Sequence, residues 1–200
     1  DTLHLHYIFL VLETKWWNAN IILAPRLEAL RRLWSINFNI MNKRIILVGK
    51  AASGKDHLRK VLEGRGYKFA QSYTTRMPRP GEIDGKDYYF ITESQFEVME
   101  SSRQFYEFVE FNGWKYGTTK KQFNESCDVF IMTPHGISLV SPEDRKSSFI
   151  IYIDVEDNIR IERLSKREMP GDSIQRRMVA DIKDFAKFKD YDIKITNSDF

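Results

Sequence analysis

The sequence has few of the features that mark secreted, membrane-spanning or nucleic-acid-binding proteins. It contains one cysteine, Cys127, so an internal disulfide is excluded and a reducing compartment is favoured. It has no apolar run of about twenty residues, the length that crosses a bilayer. Its net charge of +3 is too small to indicate nucleic acid or an acidic membrane as a partner. We therefore expect a cytoplasmic protein without nucleic-acid or membrane partners.

Glycine is absent from residues 1–40, whereas all ten glycines lie beyond them. The same segment holds three of the four tryptophans, Trp16, Trp17 and Trp34. This change of composition, with Met41 at its end, predicts a poorly ordered N-terminal extension over 1–40 and one enzyme domain over 41–200. A helix from Ala24 to Trp34 that packs on the domain, or a weak organellar presequence, is an alternative.

A glycine loop follows an apolar run from Ile45 to Val48, which is typical of a central parallel strand. The spacing from Gly49 to Gly54 and Lys55 matches a P-loop, in which successive N–H groups and the positive end of the next helix face one anion. The lysine adds a charge for the β and γ phosphates. We expect ATP phosphates to be bound by Gly49, Ala51, Ala52, Ser53, Gly54, Lys55 and Asp56.

The residue after Lys55 departs from that pattern. Asp56 stands where a Ser or Thr hydroxyl normally helps to hold Mg²⁺. An unscreened carboxylate would repel a triphosphate by about 1 kcal/mol in water and by more in a dry site. We hypothesise that Asp56 contributes to Mg²⁺ coordination through a metal-bound water.

A second motif runs Ser72-Tyr-Thr-Thr-Arg-Met-Pro-Arg-Pro-Gly-Glu-Ile-Asp-Gly-Lys-Asp-Tyr-Tyr-Phe90. It resembles the nucleoside monophosphate site of the guanylate kinase family at every fixed position of the family motif. Arg76 and Arg79 lie on a proline-stiffened loop, which limits the entropy lost when two guanidinium groups close on one phosphate. The resemblance covers the chain from about Asn42 to Asn197.

The resemblance implies roles for the acceptor-binding residues. Ser72 and Thr118 would contact the base, and Glu107 would accept hydrogen bonds from the N1 and N2 edge of guanine. A carboxylate suits an edge with two adjacent donors, although Glu107 alone could equally be the polar face of an amphipathic strand. The acceptor phosphate would be bound by Arg76, Arg79, Tyr88 and Tyr116.

The resemblance also implies a lid whose arginines close over ATP and neutralise the transferring phosphoryl group. Arg163, Arg167 and Arg177 match the family positions, whereas we expect Arg160 and Arg176 to lie on the surface. Asn197 would lie beside the adenine. Since relatives usually continue into a closing helix, the end at Phe200 predicts either a short enzyme or a cut C-terminus.

Together these motifs predict an α/β P-loop NTPase fold with a parallel five-stranded sheet flanked by helices. We expect strands near 44–48, 67–70, 128–132, 149–154 and 192–195, an acceptor-binding insert at about 72–118 and a lid at about 165–172. Closure of both inserts would exclude water, a competing acceptor. The expected reaction is direct phosphoryl transfer from ATP, with Mg²⁺, to GMP or dGMP.

Two positions leave other functions open. Ile131 and Thr133 stand where the family usually has aspartates that help with Mg²⁺ and with the guanine amino group. Asp56 in addition resembles the corresponding residue of ribose 1,5-bisphosphate phosphokinases and of phage deoxynucleotide kinases, so the acceptor could be another deoxynucleoside monophosphate or ribose 1,5-bisphosphate. A guanylate-kinase-like domain that binds phosphorylated peptides without catalysis is the other alternative. The retained Gly49, Gly54 and Lys55 favour an enzyme.

Overall fold

The computed structural model describes residues 43–111, 113–167 and 172–196. The predictions for 1–40 and Asn197 lie outside the described residues, as does half of the predicted lid, 168–171. The strands are β1 (Arg44–Gly49), β2 (Tyr73–Thr74), β3 (Tyr89–Phe90), β4 (Phe105–Phe111), β5 (Trp114–Thr119), β6 (Val129–Ile131), β7 (Ser148–Ile153) and β8 (Ile193–Ile195). The helices are α1 (Lys55–Gly64), α2 (Glu93–Ser101), α3 (Pro134–Ser138), α4 (Pro142–Lys146), α5 (Asp157–Ser165) and α6 (Ile174–Phe185), with a π-helical turn at Gln122–Ser126. None of the described helices is long and apolar enough to cross a membrane.

Strand β1 lies inside a parallel sheet of order β6-β1-β7-β8. Its four apolar residues, 45–48, are at most 1% exposed, because both faces of the sheet are covered. Ile45 and Leu47 pack with Leu58 of α1 on one face, and Ile46 and Val48 contact the core of the other face. The predicted α/β architecture with a buried parallel sheet is confirmed.

The segment 67–70 differs from the fifth strand that we expected. It makes one isolated bridge, between Phe69 and Val129, at the edge of the four-stranded sheet. The Lys68 carbonyl accepts from the N–H groups of both Asp128 (2.8 Å) and Val129 (3.0 Å), and the Lys68 N–H donates to the Asp128 carboxylate at 2.9 Å. A side chain thus takes the place of a regular ladder bond, so the extended pairing ends after one residue.

A second sheet, of order β3-β2-β5-β4, is inserted between α1 and β6. It falls within the segment predicted to bind the acceptor. Helix α2, which begins with a capping box of Thr92 and Gln95, packs on it through Phe96. The Phe96 ring stacks on Phe105 with centroids 4.4 Å apart, and a Cβ on Gly117 would lie 2.7 Å from that second ring. Only glycine therefore fits beside this aromatic contact.

Replacing Phe96 with alanine is expected to lower the free energy of unfolding by about 3 kcal/mol, because a fully buried ring leaves a cavity under the second sheet. Urea denaturation measures the change. Val98→Ala on the same helix is the control, since Val98 is 61% exposed and should change stability by less than about 0.5 kcal/mol. Equal effects of the two substitutions would contradict the packing described.

Candidate active site

One cleft of about 500 Å³ opens at the carboxyl edge of the parallel sheet, where the loops after β1 and β6 meet the second sheet and helices α5 and α6. The carboxyl ends of parallel strands are where ligands bind in open α/β sheets. The predicted site residues on its wall are Gly49, Ala51, Ala52, Ser53, Gly54, Lys55, Asp56, Ser72, Arg76, Arg79, Tyr88, Glu107, Tyr116, Arg163, Arg167 and Arg177. The structure therefore brings both predicted substrate sites together.

The glycine loop at one end of the cleft is held in an unusual backbone conformation. A Cβ on Gly49 would lie 2.5 Å from the Ile153 carbonyl and 2.6 Å from the Ser53 hydroxyl, so no side chain fits there. Gly54, just before α1, has φ +110°, and Ala52 has φ +58°. A left-handed conformation costs an alanine about 1 kcal/mol, so the surrounding contacts must hold the loop in place.

Lys55 bends back over this loop. Its ammonium donates to the carbonyls of Gly49 (2.6 Å) and Lys50 (2.9 Å). Burial lowers the pKa of Lys55 to about 8, against the opposing effect of Asp56 and Asp181. The group remains mostly charged at pH 7 and lies at the N-terminus of α1, where the helix dipole also favours an anion.

Arginines from α5 and α6 face the loop. Arg163 donates to the carbonyls of Ala52 (3.2 Å) and Ser53 (3.3 Å). Arg177 pairs with Asp172 at 2.6 Å, and Arg167 lies on the cleft wall. All three predicted lid arginines thus lie where they can approach a nucleotide on the loop.

The prediction that Arg160 and Arg176 lie on the surface is wrong for Arg160 and only partly right for Arg176. Arg160 is 1% exposed and pairs with Asp181, and its Nε donates to the Ala51 carbonyl at 2.9 Å. Arg176 has a side chain 31% exposed, pairs with Asp172 at 2.5 Å and lines the cleft. Sequence reasoning missed Asp181 altogether. The spacing of Arg160 to Arg163 and of Arg177 to Asp181 does place each pair on one helix face, which is the signal that was available.

The predicted acceptor-phosphate residues form a second cationic group. Arg76 is 4% exposed and makes a two-pronged contact with Glu82, with both N–O distances 2.9 Å. The Arg79 N–H donates to the same carboxylate at 2.8 Å. Although burial acts to raise it, hydrogen bonds from Arg76 and Arg79 hold the pKa of Glu82 below its usual value. Glu82 belongs to the family motif but had no predicted role; here it orients both arginines.

Two tyrosines complete this group. The Arg76 guanidinium lies 5.3 Å from the centre of the Tyr88 ring, and the rings of Tyr88 and Tyr116 meet edge to face at 6.1 Å. Burial raises the pKa of Tyr88 above its usual value, so its hydroxyl stays protonated at neutral pH and can donate. Two guanidinium groups and two phenols are therefore available for one phosphate.

Glu107 lies on β4 opposite Thr118 of β5 and is 7% exposed. Burial raises the pKa of Glu107 to about 7, although hydrogen bonds with the Thr118 side chain and backbone act to lower it. Thr118 was expected to contact the base, but it is 1% exposed and is not part of the cleft wall. It holds the carboxylate of Glu107 instead.

Helix α3 packs against the other side of the Glu107 carboxylate. A Cβ on Gly136 would lie 2.9 Å from a carboxylate oxygen of Glu107, so a side chain there would displace it. Thr133 caps the helix by accepting from the Gly136 N–H at 3.0 Å. Ile131 and Thr133, which replace the expected aspartates, both line the cleft and leave Glu107 as the acidic group at this wall.

Asp56 is the predicted metal contact. Its side chain is 73% exposed at the first turn of α1, 3.6 Å from Arg59. Among the described residues, no cluster of three or more His, Cys, Asp or Glu side chains could hold a metal ion. A cation here would take its other ligands from phosphate oxygens and water.

A parallel sheet, a glycine loop at its carboxyl edge and arginines facing that loop define a P-loop protein of the phosphoryl-transfer class. Sequence comparison identifies the family within this class. The chain belongs to the guanylate kinase family, whose sequence model matches residues 41–200.

Individual relatives agree with this assignment. The chain is 30% identical over 173 residues to a guanylate kinase of Nostoc sp., covering 80% of this chain and 85% of the relative. It is 35% identical over 176 residues to a guanylate kinase of Buchnera aphidicola subsp. Baizongia pistaciae, covering 80% and 83%. A crystal structure of guanylate kinase from Anaplasma phagocytophilum superposes with a TM-score of 0.61 at 23% identity, over 79% of this chain and 78% of that one. This last likeness supports the fold.

Affinity for a base edge with two adjacent donors is expected to fall below pH 7. Only the ionised carboxylate of Glu107 accepts two hydrogen bonds, and its pKa of about 7 means that acid protonates it. The KM for GMP should rise by up to about tenfold for each pH unit below that pKa.

The matched control for this prediction is Glu107→Gln, which does not titrate. The ligand's own phosphate, with a pKa near 6 as in phosphoserine, titrates equally in both proteins and cancels in the comparison. The same pH dependence of KM in Glu107→Gln would contradict the assignment of Glu107 to the base edge.

Proposed function

We infer that the chain transfers the γ-phosphoryl group of ATP to GMP, giving ADP and GDP. The observation that carries this conclusion is the single cleft in which the glycine loop with Lys55 faces the group formed by Arg76 and Arg79. Two anion-binding groups in one cleft suit two phosphorylated substrates. The buried Glu107 lines the same cleft, where it would bind the purine edge.

The chemistry needs no protein nucleophile. An oxygen of the acceptor phosphate forms a bond to the γ-phosphorus of ATP while the bond from that phosphorus to the β–γ bridging oxygen breaks, and ADP leaves with that oxygen. The protein positions the two phosphates and neutralises the charge that spreads over the equatorial oxygens. Lys55 and Arg163 at the loop, with Arg167 and Arg177, supply that positive charge.

We propose that dGMP is also accepted, and that the enzyme works in the cytoplasm as a monomer or homodimer without nucleic acid or membrane partners. The single cysteine and the net charge of +3 support the second part. We also retain the proposed division into an extension over 1–40 and a kinase domain over 41–200, with an acceptor insert and a lid.

We propose in addition that Mg²⁺ accompanies ATP and that Asp56 helps to hold it. When bound, the ion would neutralise charge on the β and γ phosphates. The observation in support is that the Asp56 carboxylate lines the cleft one residue after Lys55 and is solvent-accessible, as a water-mediated contact requires.

The substitution Asp56→Ser tests this role. The Mg²⁺ concentration at half-maximal activity is expected to change severalfold, since a charged oxygen ligand is replaced by a neutral one. Activity is titrated with Mg²⁺ at fixed ATP. Glu63→Ala is the control, because Glu63 pairs with the same Arg59 (2.9 Å) and is not part of the cleft wall. An unaltered Mg²⁺ dependence in Asp56→Ser would rule the role out.

The function itself is tested by product analysis with ATP, Mg²⁺ and a panel of acceptors: GMP, dGMP, AMP, dTMP, CMP and ribose 1,5-bisphosphate. Lys55→Ala is expected to lower kcat at least about a hundredfold, because a positive charge at the transferring phosphoryl group is lost. Lys60→Ala, at an exposed position of the same helix, should retain wild-type activity.

The outcomes separate the alternatives. GDP formed rapidly by the wild type and lost in Lys55→Ala supports the proposal. Preferred transfer to another acceptor on the panel keeps the mechanism but changes the substrate, in line with Ile131 and Thr133. Absence of transfer to any acceptor would favour the phosphopeptide-binding alternative.

A further inference from the structure

Two buried charges adjoin the glycine loop and are not required for the phosphate contacts described above. Arg160 of α5 is 1% exposed and Asp181 of α6 is 5% exposed. They form an ion pair between the two helices. Burying a charge costs free energy unless the charge is paired and hydrogen-bonded, so the stability of this pair depends on the contacts that the two side chains make.

Both side chains bind the backbone of Ala51, the second residue of the loop after Gly49. The Arg160 Nε donates to the Ala51 carbonyl at 2.9 Å. The Asp181 carboxylate accepts from the Ala51 N–H, with distances of 3.0 and 3.2 Å to its two oxygens. One loop residue is therefore held through both of its polar backbone groups, by one side chain from each helix.

The anchored residue adjoins the strained part of the loop. Ala52, the next residue, has φ +58°, and its carbonyl accepts from Arg163 at 3.2 Å. Fixing Ala51 on one side and the carbonyl of Ala52 on the other leaves the loop little freedom to relax to an ordinary conformation. The N–H groups that follow are thereby kept in the direction that an anion requires.

The same pair also sets where the lid arginines lie. Arg160 and Arg163 are three residues apart on α5, and Arg177 and Asp181 are four apart on α6, so each charged anchor shares a helix face with a phosphate-facing arginine. Anchoring one residue of each helix to the loop thus fixes the distance of Arg163 and Arg177 from it.

We propose that Arg160 and Asp181 act as a positioning pair for the phosphoryl donor: they hold the Ala51 peptide and so align the glycine loop with the arginines of α5 and α6. The inference rests on the proposed function in taking ATP as the ligand of this loop. Small displacements of groups that position phosphates have large effects on binding and rate. Neither residue needs to touch the nucleotide.

Arg160 and Asp181 also act on the charge of Lys55, and this effect can be separated from their effect on the position of the loop. Asp181 raises the pKa of Lys55 and Arg160 lowers it. Removing either one alone changes the charge around the lysine, whereas removing both leaves the net charge there unchanged. A defect that survives in the double variant is therefore a defect of position.

The experiment compares Arg160→Met, Asp181→Ala and the double variant by urea denaturation and by calorimetric titration with ATP and with GMP. Each single variant is expected to lose stability, because a buried charge loses its ion-pair partner on the other helix. The loss should be smaller in Asp181→Ala, since Arg160 keeps its pair with Asp157 at 2.6 Å. The double variant should recover stability but bind ATP about tenfold more weakly, since the bonds to Ala51 are gone. Its affinity for GMP should stay within about twofold of wild type, because the acceptor residues lie on the second sheet.

Recovery of ATP affinity together with stability in the double variant would overturn the proposal and leave the pair with a purely structural role. Arg145→Met is the control, because Arg145 pairs with Asp190 (2.7 Å) and Asp192 (3.1 Å) and is not part of the cleft wall. A loss of ATP affinity there equal to that of the double variant would also overturn it. ATP binding is measured without turnover, so a wild-type protein that binds ATP but does not phosphorylate GMP would contradict the proposed function alone.

Discussion

Repulsion among cations is the constraint on which the site depends. Seven positively charged side chains line the cleft: Lys55, Arg76, Arg79, Arg163, Arg167, Arg176 and Arg177. Without phosphates they must be held by the protein's own acceptors, which are the carboxylates of Glu82 and Asp172 and the carbonyls of the glycine loop. These contacts hold Lys55, Arg76 and the arginines at Asp172 in place before a substrate arrives, so less side-chain entropy is lost on binding.

The proposed purine recognition depends on one buried carboxylate, that of Glu107, and on what surrounds it. Glu107 fits its place because Gly136 leaves space and because Thr118 supplies hydrogen bonds from behind. The residue that replaces an expected aspartate, Thr133, is occupied in capping α3 and thereby orients Gly136. The helix cap at Thr133 and the proposed base contact at Glu107 are therefore coupled through Gly136, so a change at one would displace the other.

The part of this arrangement that the sequence could predict is the part encoded locally. The strand, loop and helix from Ile45 to Leu62 carry their own periodicity, and the motif from Ser72 to Phe90 is contiguous. The pairing of Arg160 with Asp181 joins residues 21 apart on two helices, and its existence depends on how those helices pack on the loop. The prediction of a fifth strand at 67–70 failed for a similar reason. The Lys68 N–H donates to the Asp128 side chain, which replaces a backbone acceptor. Thr118 lies in a strand, and the alternation of side chains along a strand does not reveal which neighbour the Thr118 hydroxyl contacts.

Burial shifts the pKa values of two ionisable groups in the cleft, Lys55 and Glu107, in opposite directions. It lowers the pKa of Lys55 to about 8 and raises that of Glu107 to about 7. Both pKa values therefore lie closer to pH 7 in the free protein than they would in water. A triphosphate beside Lys55 favours the ammonium, and a purine edge with two donors beside Glu107 favours the carboxylate. Ligands with these features would therefore stabilise the charged form of each group, whereas a base edge with an acceptor in place of a donor would leave the Glu107 carboxylate without that hydrogen bond. Selectivity at both ends of the cleft follows from the same exclusion of water that phosphoryl transfer requires.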